Sequence, residues 1–204
     1  MDFTFGNTDR DTLESGYFVG NDKSARILEK LGFRETGVTP QLCAARKENL
    51  PSADMLLTRA DWLSAHGLPL QSDRIFLRPF STDDIPALQR IAGNDDVAPM
   101  LSSVQSPWPD DAVANWINQS RFRGQLGFRL GMCHKETGDL IGAVGLGGTP
   151  MSMMYFIEKP LWGRGLVTEA CQILLSFAFD KHQAEEIEAD CFADNPVSTR
   201  VLEK

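Results

Sequence analysis

From residue 74 onward the apolar positions of the chain fall into two periods. Residues 74–78, Arg-Ile-Phe-Leu-Arg, alternate as a short strand does, and Ser81-Thr82-Asp83-Asp84 then caps a helix that carries Ile85, Leu88 and Ile91 on one face. A second helix is predicted over 111–121. Strands follow over 127–134 and 140–146, joined at Glu136-Thr137-Gly138-Asp139, which is hairpin turn chemistry. Gly147-Gly148-Thr149-Pro150 marks the next turn, and 153–157 reads as another strand. The period then changes to 3.6. Ala170, Ile173, Leu174, Phe177 and Ala178 define an amphipathic helix over 168–180. A strand over 186–192 and a helix beginning at Pro196 complete this part. Before residue 74, strands are expected around 36–44 and 54–58, and 64–73, with its His66-Gly67-Leu68-Pro69, reads as a linker.

The pattern contains a duplication. Residues 3–30 align without a gap on residues 177–204, and each identical pair is 174 positions apart (195 − 21 for the asparagines, 204 − 30 for the lysines). The pairs include Phe3/Phe177, Phe18/Phe192, Asn21/Asn195, Ser24/Ser198, Arg26/Arg200 and Leu28/Leu202. A solenoid repeats every ~20–50 residues, whereas this spacing is the length of a domain. The chain is therefore expected to be a window on two tandem copies, opening late in one and stopping at the same point in the next.

Composition narrows the function. With 42% hydrophobic residues the chain can build an ordinary soluble core, and a net charge of −8 argues against nucleic acid as the partner. The four cysteines are scattered without a CxxC pair, so neither a disulfide framework nor a metal site is indicated. No apolar run has the ~18 residues of a membrane span, and the N-terminus lacks signal-peptide features. A cytoplasmic protein without a membrane partner is expected.

The candidate chemistry lies in one loop. A strand ending at Ile157 runs through Trp162, Gly163, Arg164 and Gly165 into a helix, which gathers main-chain N–H groups and a positive helix end at one point. Gly163 and Gly165 permit positive φ and close backbone approach, Arg164 can add an ionic contact, and no acidic residue stands inside the loop. Such a point attracts a phosphate. It is not a Walker loop, which needs Gly-Lys-Ser/Thr, nor a dinucleotide fold, because the strands upstream are hairpin-connected.

Residues 162–170, Trp-Gly-Arg-Gly-Leu-Val-Thr-Glu-Ala, resemble motif A of the GNAT superfamily of N-acetyltransferases. Asn195 to Lys204 and Asn21 to Phe33 resemble its motif B. The opening at 73–79, the hairpin at 137–142 and the segment 56–62 look like the branch of ribosomal-protein N-terminal acetyltransferases. The fold implied is α/β (α+β), a mixed, mostly antiparallel central sheet flanked by helices. The activity implied is acetyl transfer from acetyl-CoA to a primary amine, a protein N-terminus or a small molecule, by direct attack in a ternary complex without a metal. By the same resemblance the strand residues Tyr155, Phe156 and Ile157 bind pantetheine and the acyl oxygen through their main chain. The loop Trp162, Gly163, Arg164, Gly165, Leu166, Val167 and Thr168 holds the pyrophosphate, and Asn195 or Asn21 bonds the cofactor. Three departures stand out, the first being Trp162 at the usually polar first position of motif A. Val167 replaces the usual Gly or Ala, and Leu202 (Leu28 in the other copy) stands where many relatives carry a tyrosine acid, so Ser198 or Ser24 is the implied substitute. Glu158, at the strand end, is the candidate general base.

The duplication implies an unusual arrangement. Residues 1–63 correspond to the C-terminal part of a GNAT domain, 64–73 to a linker, and 74–204 to its N-terminal and central part, ending within motif B. Circular permutation through duplication explains this order. The two copies of the strand and helix then compete for one position, with the N-terminal copy favoured because only it continues into the final strands. A homodimer or swapped oligomer is one outcome of that competition. A non-catalytic acyl-CoA-binding or interaction module derived from such an enzyme is the alternative function.

Overall fold

The computed structural model describes residues 1–204, which divide into two compact units, 1–68 and 69–204. In the first, helix α1 (Asp2–Asn7) precedes strand β1 (Thr12–Phe18), helix α2 (Asp22–Lys30), strands β2 (Arg34–Cys43) and β3 (Glu48–Thr58), and helix α3 (Arg59–Ala65). The strands form an antiparallel sheet in the order β1-β3-β2. Alternation along β3 turns Ala53, Met55 and Leu57 inward, where they join Phe5, Trp62 and Leu68 in the core. Trp62 packs on Phe5 with ring centroids 5.5 Å apart, and the Arg59 guanidinium donates to the carbonyls of Phe5, Thr8 and Arg10, tying α1 to α3. Helix α2 buries none of its residues, and Ile27 and Leu31 stay exposed.

The second unit is built on five antiparallel strands in sequence order: β4 (Leu70–Gln71), β5 (Ile75–Arg78), β6 (Arg129–His134), β7 (Leu140–Gly147) and β8 (Ser152–Ile157). Helices α4 (Ile85–Ala92) and α5 (Asp110–Gln119) cover one face, and α6 (Leu166–Ser176) packs against β5, β7 and β8. The period-2 pattern decides which side chains meet which layer. Cys133, Ala143 and Phe156 point toward α4 and α5, into a core with Leu88, Ile91, Val113 and Trp116. Their neighbours along the strands, among them Leu130, Met132, Val144 and Tyr155, point the other way. Trp116 meets Phe80 and Trp108 edge to face, and both tryptophans are buried, so Trp108 is a core residue like Trp116. In β7 the absence of a side chain at Gly142 permits close pairing, since a Cβ there would lie 2.3 Å from the Phe156 carbonyl oxygen.

Several boundaries differ from the periodicity. Helix α6 starts at Leu166 and ends at Ser176, where a π turn over Phe177–Lys181 takes over. That turn brings His182 against Phe177, ring centroids 4.8 Å apart. The segment read as a linker, 64–73, contains the division between the two units; its start belongs to α3, and Leu70 and Gln71 pair with β5.

The two copies of the repeat fold differently. In the first, residues 12–18 form a full strand because β3 supplies a ladder along all of it. In the second, the strand expected over 186–192 is reduced to one parallel bridge, Glu188 with Ser152. Glu188 N–H donates to Met151 O at 2.8 Å and Met153 N–H to Glu188 O at 2.9 Å, after which the chain leaves β8 and enters helix α7 (Pro196–Leu202). Residues 186–192 thus touch the free edge of β8 at one position only, whereas 12–18 pair with β3 along their whole length. The first helical parts differ as well, α1 against the π turn at Phe177–Lys181, but the helices after Asn21 and Asn195 agree. Asn21 Oδ1 accepts from Ser24 N–H at 3.3 Å and Asn195 Oδ1 from Ser198 N–H at 3.0 Å, so both asparagines are helix caps.

Candidate active site

The loop between β8 and α6 is positioned from both ends. At its start the Trp162 indole donates to the Ile157 carbonyl at 2.9 Å, folding the loop back on the strand it leaves. Gly163 (φ 75) and Gly165 (φ 78) are left-handed, which L side chains reach only at a cost. At its end Glu169, in the first turn of α6, accepts from Ser72 Oγ at 2.5 Å and from Arg74 Nε at 2.7 Å, while Arg74 Nη1 donates to the Arg164 carbonyl at 3.0 Å. Burial pushes the Glu169 carboxyl up, but the hydrogen bonds from Ser72 and Arg74 outweigh it and leave the group below its ordinary range. Arg74 thus fastens the loop to strand β5 through a carboxylate and a peptide carbonyl at once. Neither Arg74 nor Glu169 stands out in the sequence as a site residue, because they meet across 95 positions of chain.

This anchoring leaves the loop's donors unspent. Trp162 N–H bonds to Lys159 O at 3.1 Å and Glu169 N–H to Gly165 O at 3.1 Å, whereas the N–H groups of Gly163, Arg164, Gly165, Leu166, Val167 and Thr168 find no acceptor within the protein. The first N–H groups of any helix lack an intrahelical partner, and here the glycine turn extends that run outward. Gly163, Arg164 and Gly165 are exposed and Leu166 is buried, which anchors the helix end while the amides face outward. A row of unpaired donors at the positive end of an 11-residue helix can receive an anionic group.

Next to the loop, on the α6 side of β8, Tyr155 OH lies 2.7 Å from Ser198 Oγ and donates to the Ser198 carbonyl at 3.3 Å. Asn195 holds that serine through its N–H. Phe156 is spent on the opposite core, and Ile157 is buried. Glu158 does not join this group. It is ion-paired with Arg90 at 2.5 Å and lines a recess of about 450 Å³ on the α4 side with His134, Thr137 and Asp139. Arg90, itself largely exposed, is the ion-pair partner of Glu158, the candidate base at the end of β8. In the first unit, Asn21 and Ser24 line a concavity of about 890 Å³ with Gly16, Tyr17 and Asp54.

An antiparallel sheet whose last strand runs through a loop of free amides into a covering helix is a scaffold that can hold an anionic group at the helix start. A family model for the acetyltransferase (GNAT) domain matches residues 74–204, and the chain belongs to that family. Acyl transfer using acetyl-CoA is the chemistry of that family; residues 1–73 lie outside the matched region. The uncharacterized protein YkkB of Bacillus subtilis (strain 168) is 30% identical to this chain, the match covering 66% of this chain and 82% of the relative. The uncharacterized N-acetyltransferase YoaA of the same bacterium is 25% identical over 66% of this chain and 80% of its own. Among solved structures, a GNAT-family acetyltransferase from Bacillus anthracis superposes with a TM-score of 0.59 at 18% identity, covering 67% of this chain and 81% of that one. A putative ribosomal-protein-serine acetyltransferase from Vibrio cholerae gives 0.57 at 17%, over 67% and 80%. These two likenesses are of fold.

Proposed function

We propose that the chain transfers the acetyl group of acetyl-CoA to a primary amine, of a protein N-terminus or of a small molecule, by direct attack in a ternary complex. The observation that carries this reading is the run of six N–H groups from Gly163 to Thr168 without an acceptor, presented at the start of α6. In the proposal these amides and Arg164 hold the pyrophosphate, and the main chain of Tyr155 to Ile157 aligns pantetheine and the acyl oxygen. Glu158, paired with Arg90 at the end of β8, is proposed as the base that takes the proton of the attacking amine and passes it to solvent. The proposal places the protein in the ribosomal-protein N-terminal acetyltransferase branch on the strength of its sequence motifs, and in the cytoplasm, where its four free cysteines would remain reduced.

Residues 1–63 are proposed to be the C-terminal part of a GNAT domain carried ahead of the rest by circular permutation. Two features support this: β1 and α2 repeat the sequence of 186–204, and β2 and β3 continue it. A homodimer or swapped oligomer is the assembly proposed to use the duplicated segment. Isothermal titration with acetyl-CoA, followed by a thiol-release assay over peptides with free N-termini, amino acids and polyamines, tests the function. Micromolar binding with turnover of at least one amine is expected. Binding without turnover would favour the non-catalytic module, and no binding at millimolar acetyl-CoA would refute both.

A further inference from the structure

A thioester gives up its sulfur most readily when the departing thiolate meets a proton, since an ordinary thiol has a pKa of about 8.5. Helix α7 offers Leu202 where an acid is wanted, and leucine has no proton to give. Strand β8 offers one from the other side. Its alternation sends Phe156 into the α4–α5 core and Tyr155 toward α6 and α7, and Tyr155 is the one tyrosine of the second unit. The strand that carries it runs two residues later into Ile157, whose carbonyl anchors the loop through Trp162.

We infer that the Tyr155 phenol is the proton donor to the departing coenzyme A thiolate, and that Ser198 is its positioning residue. The inference rests on the acetyl-transfer reading above. When the C–S bond of the tetrahedral adduct breaks, sulfur keeps the electron pair and takes the phenolic proton. The phenolate is held by a hydrogen bond from Ser198 Oγ, and the proton released by the amine returns to it through solvent. Ser198 is preset for this task, because the Asn195 cap fixes its backbone 3.0 Å away and its hydroxyl stands 2.7 Å from the phenol. Burial raises the phenol above its ordinary value of 10.0 while the Ser198 hydrogen bond pulls it back, so the donor stays protonated through the neutral range.

The test uses the full chain. Tyr17→Phe leaves Tyr155 as the single phenol, and its ultraviolet titration is followed with and without Ser198→Ala and with coenzyme A added. The midpoint is expected above 10.0, higher still in Ser198→Ala, and moved by coenzyme A. In the thiol-release assay Tyr155→Phe is expected to lose about 100-fold in turnover, Ser198→Ala about tenfold, and Ser198→Thr little, while acetyl-CoA affinity stays within about twofold. Tyr155→Phe turnover within about threefold of the parent, or a midpoint indifferent to Ser198→Ala, overturns the inference alone. A parent protein that binds acetyl-CoA but turns over no amine overturns it together with the enzymatic reading. Absence of acetyl-CoA binding removes the cofactor loop as well.

Discussion

Glu169→Gln separates the anchoring of the loop from its amides. The carboxylate receives Arg74 Nε and Nη2 on Oε2, and Ser72 Oγ with the Arg74 N–H on Oε1. Glutamine keeps one acceptor oxygen. Facing that oxygen to the guanidinium turns the amide NH₂ onto Ser72, whose hydroxyl can accept from it and donate to the Ile75 carbonyl instead, and onto the Arg74 N–H, a donor it cannot serve. A hydrogen bond to a charged group contributes about 1.5–3 kcal/mol and a neutral one about 1, so one lost bond and two weakened ones come to about 2–3 kcal/mol. The Arg74 side chain is 50% exposed and that of Glu169 19%, and solvent screening reduces the figure to about 1–2 kcal/mol. Urea denaturation at pH 7 should show that loss. A carboxyl whose folded pKa lies below its ordinary 4.5 contributes stability that is fully present above 4.5 and disappears as pH falls through the folded value. The gap between parent and variant should therefore be constant from pH 7 to 5 and narrow below about 4.5. Acetyl-CoA affinity should fall about fivefold, as Arg74 loses its brace and with it the hold on Arg164. A stability gap that does not change with pH, or a variant indistinguishable from the parent at pH 7, would refute the reasoning.

Gly165→Ala should cost about 1 kcal/mol and weaken acetyl-CoA about fivefold by titration calorimetry. The nearest atom to the added Cβ, Arg74 Nη2 at 3.7 Å, is no obstacle, so the penalty comes from φ 78 alone and Gly165→Asn should recover part of it. Asp84→Ala should destabilise by about 3–5 kcal/mol in the same denaturation assay, because it strands the Arg78 guanidinium, bound twice at 2.8 Å, and removes the acceptor for Ser81 N–H. Of the four thiols, Cys43 and Cys191 should react with a disulfide reagent at pH 8 in the native protein and all four in denaturant. Burial pushes Cys171 up to about 12 and also raises Cys133.

The hairpin β6–β7, the strand β8 and the cap before α4 are local matters, and their residues announce them. Turn chemistry at 136–139 and alternation over a few positions need no distant partner to be read. The loop is of the same kind: two glycines between a strand and an amphipathic helix specify where N–H groups will collect. Ser72, Arg74 and Glu169 carry no such mark. Their meeting depends on β5 and α6 being packed together, which no local period expresses. Glu158 shows the same division, since its place at a strand end is local while its pairing with Arg90 depends on α4.

The duplicated segment draws the division most sharply. By itself the sequence determined that both copies carry the same Asn-x-x-Ser segment at the start of a helix, because a helix start is a local signal. It could not determine that residues 12–18 become a strand and residues 186–192 a single bridge, nor that Ser198 meets Tyr155 across 43 positions. Those outcomes belong to tertiary structure, because a strand is completed only by the hydrogen bonds of a neighbour, and a side-chain pair only by the elements that carry it together.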